Sequence, residues 1–204
     1  MAGPTREFWD ERYRSQQHSW DRGEVSPQLL SWLDAGDLRP PLRIAVPGCG
    51  SGWEVLELAS RGFDVIAIDY SMEAVELTRS RLLADGLQAE VVHADVLHWH
   101  PEQPVDAIYE QTCLCALHPD HWVEYAESLS AWLAPQGRLL ALFMQRPTSE
   151  AATGVIHGPP YHCDINAMRA LFTSQRWEWP KPPYADVQHP NGLYELALQL
   201  NLRR

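Results

Sequence analysis

Long apolar runs and paired cysteines are both missing from this sequence. None of its 204 residues belongs to an apolar run near the ~20 residues that a membrane-spanning helix needs. The charged start, MAGPTREFWDERYR, is not typical of a signal peptide. The four cysteines follow no disulfide spacing, so we expect free thiols and a cytoplasmic protein; they are Cys49, Cys113, Cys115 and Cys163.

A basic stripe is absent as well. The chain has 16 Lys and Arg against 27 Asp and Glu, which gives a formal net charge of −11. Nucleic acids and anionic membranes both attract basic surfaces, so we expect neither as a partner. A small-molecule ligand remains, bound by a single domain of residues 1–204 that is a monomer or a small homo-oligomer.

Strand and helix patterns alternate from residue 42 to residue 143. This alternation is typical of a parallel sheet covered on both faces, here an α/β core over 42–204. Two amphipathic patterns before it predict an N-terminal helical cover over 1–36, and Asn191-Gly192 predicts an antiparallel C-terminal hairpin. Ligands of such sheets bind beyond the carboxyl ends of the strands.

One glycine turn, VPGCGSGWEV at 46–55, follows the first predicted strand. Its glycines are Gly48, Gly50 and Gly52, but the third glycine of the dinucleotide fingerprint would fall at position 53, where Trp53 stands. No Gly-Lys-Ser/Thr follows, which excludes a P-loop. The turn therefore favours close approach to a ligand without a diphosphate, with a plain tight turn as the alternative.

Two aspartates follow the next predicted strands. Asp69 lies about twenty residues beyond the turn, where a carboxylate can accept hydrogen bonds from ribose hydroxyls. Asp95 ends the third strand, within reach of an adenine amino group, and Val96 and Leu97 supply an apolar wall. This set fits a phosphate-free adenosine ligand, and S-adenosylmethionine, a sulfonium cation, suits an acidic protein.

With these residues the chain resembles the class I S-adenosylmethionine-dependent methyltransferases, specifically the thiopurine methyltransferase family and its plant halide/thiol branch. The resemblance runs nearly the whole length. It rests on FWDERY at 8–13, SWDRGEVSPQL at 19–29, VPGCGSGWEV, AIDYS at 67–71, HADVLHW at 93–99, YEQTCLCAL at 109–117 and GPPYH at 158–162. It implies a seven-stranded, doubly wound, mostly parallel Rossmann-like sheet.

The resemblance also implies cofactor-binding residues. Aromatic residues of the cover, the glycine turn and the two aspartates take these roles. Gln111 differs from the family pattern, in which relatives carry Tyr or Arg beside the methionine end of the cofactor. Glutamine lacks the permanent charge of arginine and its paired N–H donors. The full set is Trp9, Tyr13, Trp20, Gly48, Cys49, Gly50, Gly52, Asp69, Tyr70, Asp95, Val96 and Gln111.

Candidates for contact with the methyl acceptor come from the same cover and from two loops. They are Trp9, Tyr13, Cys115, His157, Tyr161 and His162. Ordinary packing or a simple turn is the alternative at each position. The HWH and HPDH segments have no further Cys or His ligands at finger spacing, so we predict no metal site.

Methyl transfer from a sulfonium is an in-line displacement, and a soft nucleophile such as a thiolate or halide needs no protein base. We therefore expect transfer to a thiol or thiopurine sulfur, or to a halide, without an obligatory catalytic residue. One alternative is N- or O-methylation of a small heterocycle, with a histidine or Glu110 as base. The others are a non-catalytic cofactor-binding domain and, because of Trp53, more remotely an NAD-dependent oxidoreductase.

Overall fold

The computed structural model describes residues 3–146 and 157–203 of the chain. The helices are α1 (Arg6–Arg14), α2 (Pro27–Asp34), α3 (Trp53–Ser60), α4 (Met72–Ala84), α5 (Trp122–Trp132) and α6 (Ile165–Leu171), with 3-10 turns at Leu114–Ala116 and Pro119–His121. The strands are β1 (Arg43–Pro47), β2 (Asp64–Asp69), β3 (Glu90–His93), β4 (Val105–Gln111), β5 (Leu133–Gln145), β6 (Trp177–Glu178), β7 (Ala185–Gln188) and β8 (Tyr194–Leu202).

These strands form one sheet in the order β3-β2-β1-β4-β5-β8-β6, with β7 also paired to β8. The first five run parallel, and β6, β7 and β8 are antiparallel additions. The predicted Rossmann-like class and the C-terminal hairpin are thus confirmed. The predicted count of seven strands is wrong: over residues 3–146 and 157–203 the sheet has eight, because it includes the two-residue β6, which is too short for a hydrophobic pattern.

Both faces of the sheet are covered, as the alternation of buried strand residues requires. In β1, Ile44 and Val46 pack into a cluster with residues of α2 and α3, while Ala45 faces a cluster containing residues of α5 and α6. Helix α2 contributes the buried side chains of Leu29 and Trp32 to the first cluster. This half of the predicted N-terminal cover therefore belongs to the core. The part of the cover that lines the cavities lies within residues 3–24, which we call the cover segment.

The loop between β7 and β8 lies at the carboxyl ends of the parallel strands. Because β8 runs antiparallel to β5, its first residue, Tyr194, pairs with the last residue of β5, Gln145. The loop before Tyr194 thereby reaches the edge where the parallel strands end. In the described part of the chain, no helix combines the length and apolar character needed to cross a membrane.

Candidate functional site

A cavity of about 370 Å³ lies at the carboxyl ends of the parallel strands, under the cover segment. Loops after β1, β2, β3 and β4 form its floor, and the cover segment forms its roof. The structure brings nine of the predicted site residues together in its lining: Trp9, Tyr13, Trp20, Gly48, Asp69, Tyr70, Asp95, Val96 and Cys115.

A second, smaller cleft of about 60 Å³ adjoins this cavity. The two share three lining residues, Trp20, Gly48 and Thr112. Three more predicted cofactor residues line the cleft: Cys49, Gly50 and Gln111. The predicted cofactor set therefore spans two adjoining spaces, one large and mostly apolar, the other small and lined by several charged side chains, which we call the polar cleft.

The glycine turn has the backbone conformation that its composition predicts. Gly48 has φ +61°, and a Cβ at this position would come within 2.9 Å of the Cys113 Cβ, so no larger residue fits against the end of β4. Gly52, the N-cap residue of α3, has φ +80°, and a Cβ at this position would lie 2.6 Å from the Thr78 Oγ1 of α4. Gly52 lies outside the linings of the cavity and the cleft.

Asp69 joins the glycine turn to the start of α4. Its Oδ2 accepts a hydrogen bond from the Gly50 N–H and its Oδ1 from the Ser71 N–H, both at 2.8 Å. Burial raises the pKa of Asp69, and these two backbone N–H groups oppose the shift. Each carboxylate oxygen keeps a second lone pair, so Asp69 can still accept hydrogen bonds from a ligand in the cavity.

The loop after β3 forms the opposite wall. Asp95 accepts a hydrogen bond from the Leu97 N–H at 3.0 Å, and its other oxygen lies 3.2 Å from the His98 Nδ1. The adjacent Val96 is buried and Leu97 is partly buried. A polar edge thus stands beside an apolar surface, an arrangement that suits a planar heterocycle with an amino group.

Aromatic rings of the cover segment pack edge to face above the cavity. Trp20 contacts Trp9 at a centroid distance of 5.5 Å and Tyr13 at 5.9 Å. The Tyr13 hydroxyl also lies over the glycine turn, 3.0 Å from where a Cβ on Gly50 would be. This cluster can exclude water, and its ring faces can attract a cation.

Asp21 was missed by the sequence reasoning, although it follows Trp20 directly. Its carboxylate accepts hydrogen bonds from the Ser51 hydroxyl, from the Trp53 indole nitrogen at 2.8 Å and from the Gly23 N–H at 2.8 Å. Burial raises the pKa of Asp21, but these hydrogen bonds outweigh it and the net shift is downward. A charged side chain therefore fastens the cover segment to the glycine turn and α3.

The predicted acceptor loop takes a more indirect position. Pro159 and Pro160 line the cavity, whereas His157, Tyr161 and His162 do not. His157 is exposed. Tyr161 is buried, donates its N–H to the Cys115 carbonyl at 2.7 Å and packs its ring edge to face with His118.

His162 accepts a hydrogen bond at its Nδ1 from the Arg146 N–H at 3.1 Å. Burial lowers its pKa. Glu110 is also away from the cavity: its buried Oε1 accepts from the Leu114 N–H at 2.6 Å, and burial raises its pKa to about 7. Neither side chain faces the space where an acceptor would lie.

Several cavity residues were not among the predicted site residues, and four polar ones stand out: His118, His121, His189 and Asn191. The first two lie in the HPDH segment, which had been weighed only as a metal motif. The other two belong to the hairpin loop, which reaches the cavity only because β8 pairs with β5. Burial lowers the pKa of His189 to about 4, so its imidazole is neutral near pH 7.

Comparison with known proteins gives sequence relatives as well as structural ones. The family model described as Thiopurine S-methyltransferase (TPMT) matches residues 4–198. The chain is 29% identical over 160 residues to "Probable thiol methyltransferase 2" of Arabidopsis thaliana, covering 78% of this chain and 68% of that protein. It is 26% identical over 197 residues to the thiopurine S-methyltransferase of Vibrio atlanticus, covering 90% and 88%.

Among solved structures, the chain is similar to the 1,6-didemethyltoxoflavin-N1-methyltransferase of Burkholderia thailandensis, whose structure contains S-adenosylhomocysteine. The TM-score is 0.76 at 18% identity, with 98% of this chain and 87% of the other covered. At that identity the match describes the fold rather than the acceptor.

Proposed function

Because this chain belongs to the thiopurine S-methyltransferase family, we propose that it methylates the sulfur atom of a small molecule. Family membership makes the protein an S-adenosylmethionine-dependent methyltransferase, with S-adenosylmethionine as its cofactor. The observation that carries the proposal is the pair of adjoining spaces at the strand ends, one of them roofed by the aromatic cover segment.

The residues present fit this cofactor. Asp69 offers free lone pairs for the ribose hydroxyls, and Asp95 with Val96 offers a polar edge and an apolar face for adenine. The polar cleft beside Gly48 and Gln111 takes the methionine portion. When bound, the cofactor supplies an electrophilic methyl group on a sulfonium sulfur. The acceptor would attack this methyl carbon in line with the bond to sulfur, and S-adenosylhomocysteine would leave.

The chain's own part in this reaction is alignment and exclusion of water. Trp9, Tyr13 and Trp20 close the cavity from above, and a dry cavity leaves an anionic sulfur poorly solvated and therefore more reactive. Holding the reactants in line can lower the barrier by about 7–11 kcal/mol in favourable systems. With Glu110 and His162 outside the cavity, these two candidate bases are poorly placed for N- or O-methylation.

Sulfur as the acceptor atom is supported by the relatives that cover most of the chain, named as thiol and thiopurine methyltransferases. We propose that the acceptor enters where Cys115, Met144 and Pro160 line the cavity, and that Tyr161 supports this wall from behind. The four free cysteines support a cytoplasmic location, and the acidic net charge supports a small-molecule substrate rather than nucleic acid.

A panel of acceptors tests the proposal. Purified protein is incubated with S-adenosylmethionine and, separately, with aromatic thiols, thiopurines, thiocyanate, iodide and nitrogen heterocycles, and the methylated products are identified by mass spectrometry. We expect transfer to sulfur, with a pH profile that follows the pKa of each thiol. Transfer to nitrogen alone would overturn the sulfur assignment.

A further inference from the structure

The polar cleft has an uneven distribution of charge. Four charged side chains occur in its lining, and three of them are acidic: Asp21, Glu24 and Glu54. Among the described residues of this lining, Arg22 is the single cation. An α-amino acid carries one carboxylate and one ammonium group. A cleft lined mainly by acidic side chains therefore needs a cationic side chain to bind the carboxylate.

Strand β4 does not supply that contact. The side chain of Gln111 is neutral, and both ends of its amide are engaged. Its Oε1 accepts from the Tyr109 hydroxyl at 2.7 Å, and its Nε2 donates to the Glu195 Oε2 at 2.8 Å. The amide is thereby fixed in place, and it brings no charge to the cleft.

Arg22 reaches the same carboxylate from the cover segment. Its Nη2 donates to the Gln188 carbonyl at 2.6 Å and lies 3.4 Å from the Glu195 Oε2. The guanidinium has five N–H donors. Among the described residues, its buried Nε has no hydrogen-bond partner, and Nη1, which is not buried, makes no hydrogen bond either, so donors remain for a ligand.

We infer that Arg22 binds the carboxylate of the methionine portion of the cofactor and that this contact fastens the cover segment over the bound cofactor. The inference rests on the proposed function. Glu195 and the Gln188 carbonyl hold the guanidinium at the cleft before the ligand arrives. The cofactor's carboxylate then provides a second, charge-assisted set of acceptors. Arg22 thus couples cofactor binding to the position of the cover segment, in addition to the contacts of Asp21.

Two ligands that differ only in the amino-acid portion test this role. S-adenosylhomocysteine has the carboxylate, whereas 5′-methylthioadenosine lacks the whole amino-acid end. By calorimetry, Arg22→Gln should weaken binding of S-adenosylhomocysteine by about 10- to 100-fold and leave methylthioadenosine within about 3-fold of wild type. Arg22→Lys should lose less affinity for S-adenosylhomocysteine, since lysine keeps the positive charge but cannot donate two parallel hydrogen bonds to a carboxylate. The matched control is Arg39→Gln, at an exposed arginine outside both spaces.

Loss of Arg22 leaves the buried Glu195 without its ion pair, so folding is tested separately. The double variant Arg22→Gln/Glu195→Gln removes both charges and should show the same selective loss for S-adenosylhomocysteine. Limited proteolysis should show that this ligand protects the cover segment of wild type but not of Arg22→Gln. An unchanged affinity, or equal losses for both ligands in both variants, overturns the inference. Failure of wild type to bind either ligand would instead overturn the proposed function.

Discussion

The indole nitrogen of Trp53 donates a hydrogen bond of 2.8 Å to the carboxylate of Asp21. Trp53 is the first residue of α3, and Asp21 lies in the cover segment. The Arg81 guanidinium stacks on the Trp53 ring with its Cζ 3.7 Å from the ring centroid. The residue that departs from the dinucleotide fingerprint therefore helps to anchor the roof of the cavity.

Removing this anchor should loosen the cover. Asp21→Ala leaves three donors without their acceptor and should lower the free energy of unfolding by about 1–3 kcal/mol. Trp53→Phe removes one donor and keeps a ring under Arg81, so we expect a loss of about 0.5–1.5 kcal/mol. Urea denaturation measures both, with Asp85→Ala, at an exposed aspartate, as the control. Equal stability of the two aspartate variants would contradict the anchoring role.

Asp69→Asn should weaken cofactor binding. Asparagine has one acceptor oxygen and an amide nitrogen that only donates, so it cannot satisfy both backbone N–H groups and also accept from a ribose hydroxyl at each side-chain atom, as Asp69 can. We expect a loss of about 1–3 kcal/mol in the binding of S-adenosylhomocysteine by calorimetry. Asp64→Asn, at the exposed start of the same strand, is the control. If Asp69 binds ribose, wild type should also discriminate against the 2′-deoxy analogue and the variant should not; equal discrimination rejects the ribose role.

Gly52→Ala should destabilise the fold. The residue has φ +80°, and its new Cβ would lie 2.6 Å from the Thr78 Oγ1. Strain and crowding together should cost about 2–5 kcal/mol. Thr78→Ala removes the two closest atoms, although its Cβ would still lie 3.0 Å from the new Cβ, and it also loses the hydrogen bond from Thr78 to the Gly50 carbonyl. Gly52→Ala should therefore cost less in a Thr78→Ala background than in wild type, as measured by urea denaturation. An equal cost in both backgrounds would show that the contact with Thr78 is not the cause.

The stability of the protein should depend on pH through Glu110. Burial raises the pKa of this carboxyl from its ordinary 4.5 to about 7, so the folded state keeps a proton that the unfolded chain releases. Between pH 4.5 and 7 the free energy of unfolding therefore falls as pH rises, by roughly 3 kcal/mol in all. Glu110→Gln does not titrate, so its stability relative to wild type should rise by that amount between pH 4 and 8.

The control for this experiment is Glu102→Gln, at an exposed glutamate. Its stability should parallel that of wild type at every pH. A constant difference between Glu110→Gln and wild type across the range would show that the pKa of Glu110 is the same in the folded and unfolded protein.

The sequence predicted those features that depend on local patterns. Hydrophobic periodicity located the five parallel strands, and the rule that ligands bind at their carboxyl ends located the loops after β1, β2, β3 and β4. The segment HPDHWVEYAESLSAWLAPQG, at 118–137, predicts a helix with a glycine stop, but the observed α5 covers only Trp122–Trp132. It ends at Trp132 because Pro135 cannot continue a helix and disfavours helical geometry at the residue before it.

Features that depend on contacts distant in sequence were not predictable in this way. The hydrogen bonds of Asp21 form only after the cover segment packs against α3, and nothing in their sequence spacing indicates them. Likewise, His189 reaches the cavity through the pairing of Tyr194 with Gln145, which no local pattern specifies. The site's floor is thus encoded locally, whereas parts of its roof and far wall depend on tertiary packing.

The position of β8 has a consequence for synthesis of the chain. Strands β1 to β5 find their parallel neighbours once residue 145 has been made, but the outer edge of β5 pairs with residues 194–201. A nascent chain on the ribosome would therefore present an unpaired, strongly apolar strand edge while the intervening residues are translated. Such edges are sites of intermolecular strand pairing. Slow codons or truncation between β5 and β8 should accordingly favour aggregation and demand for chaperones.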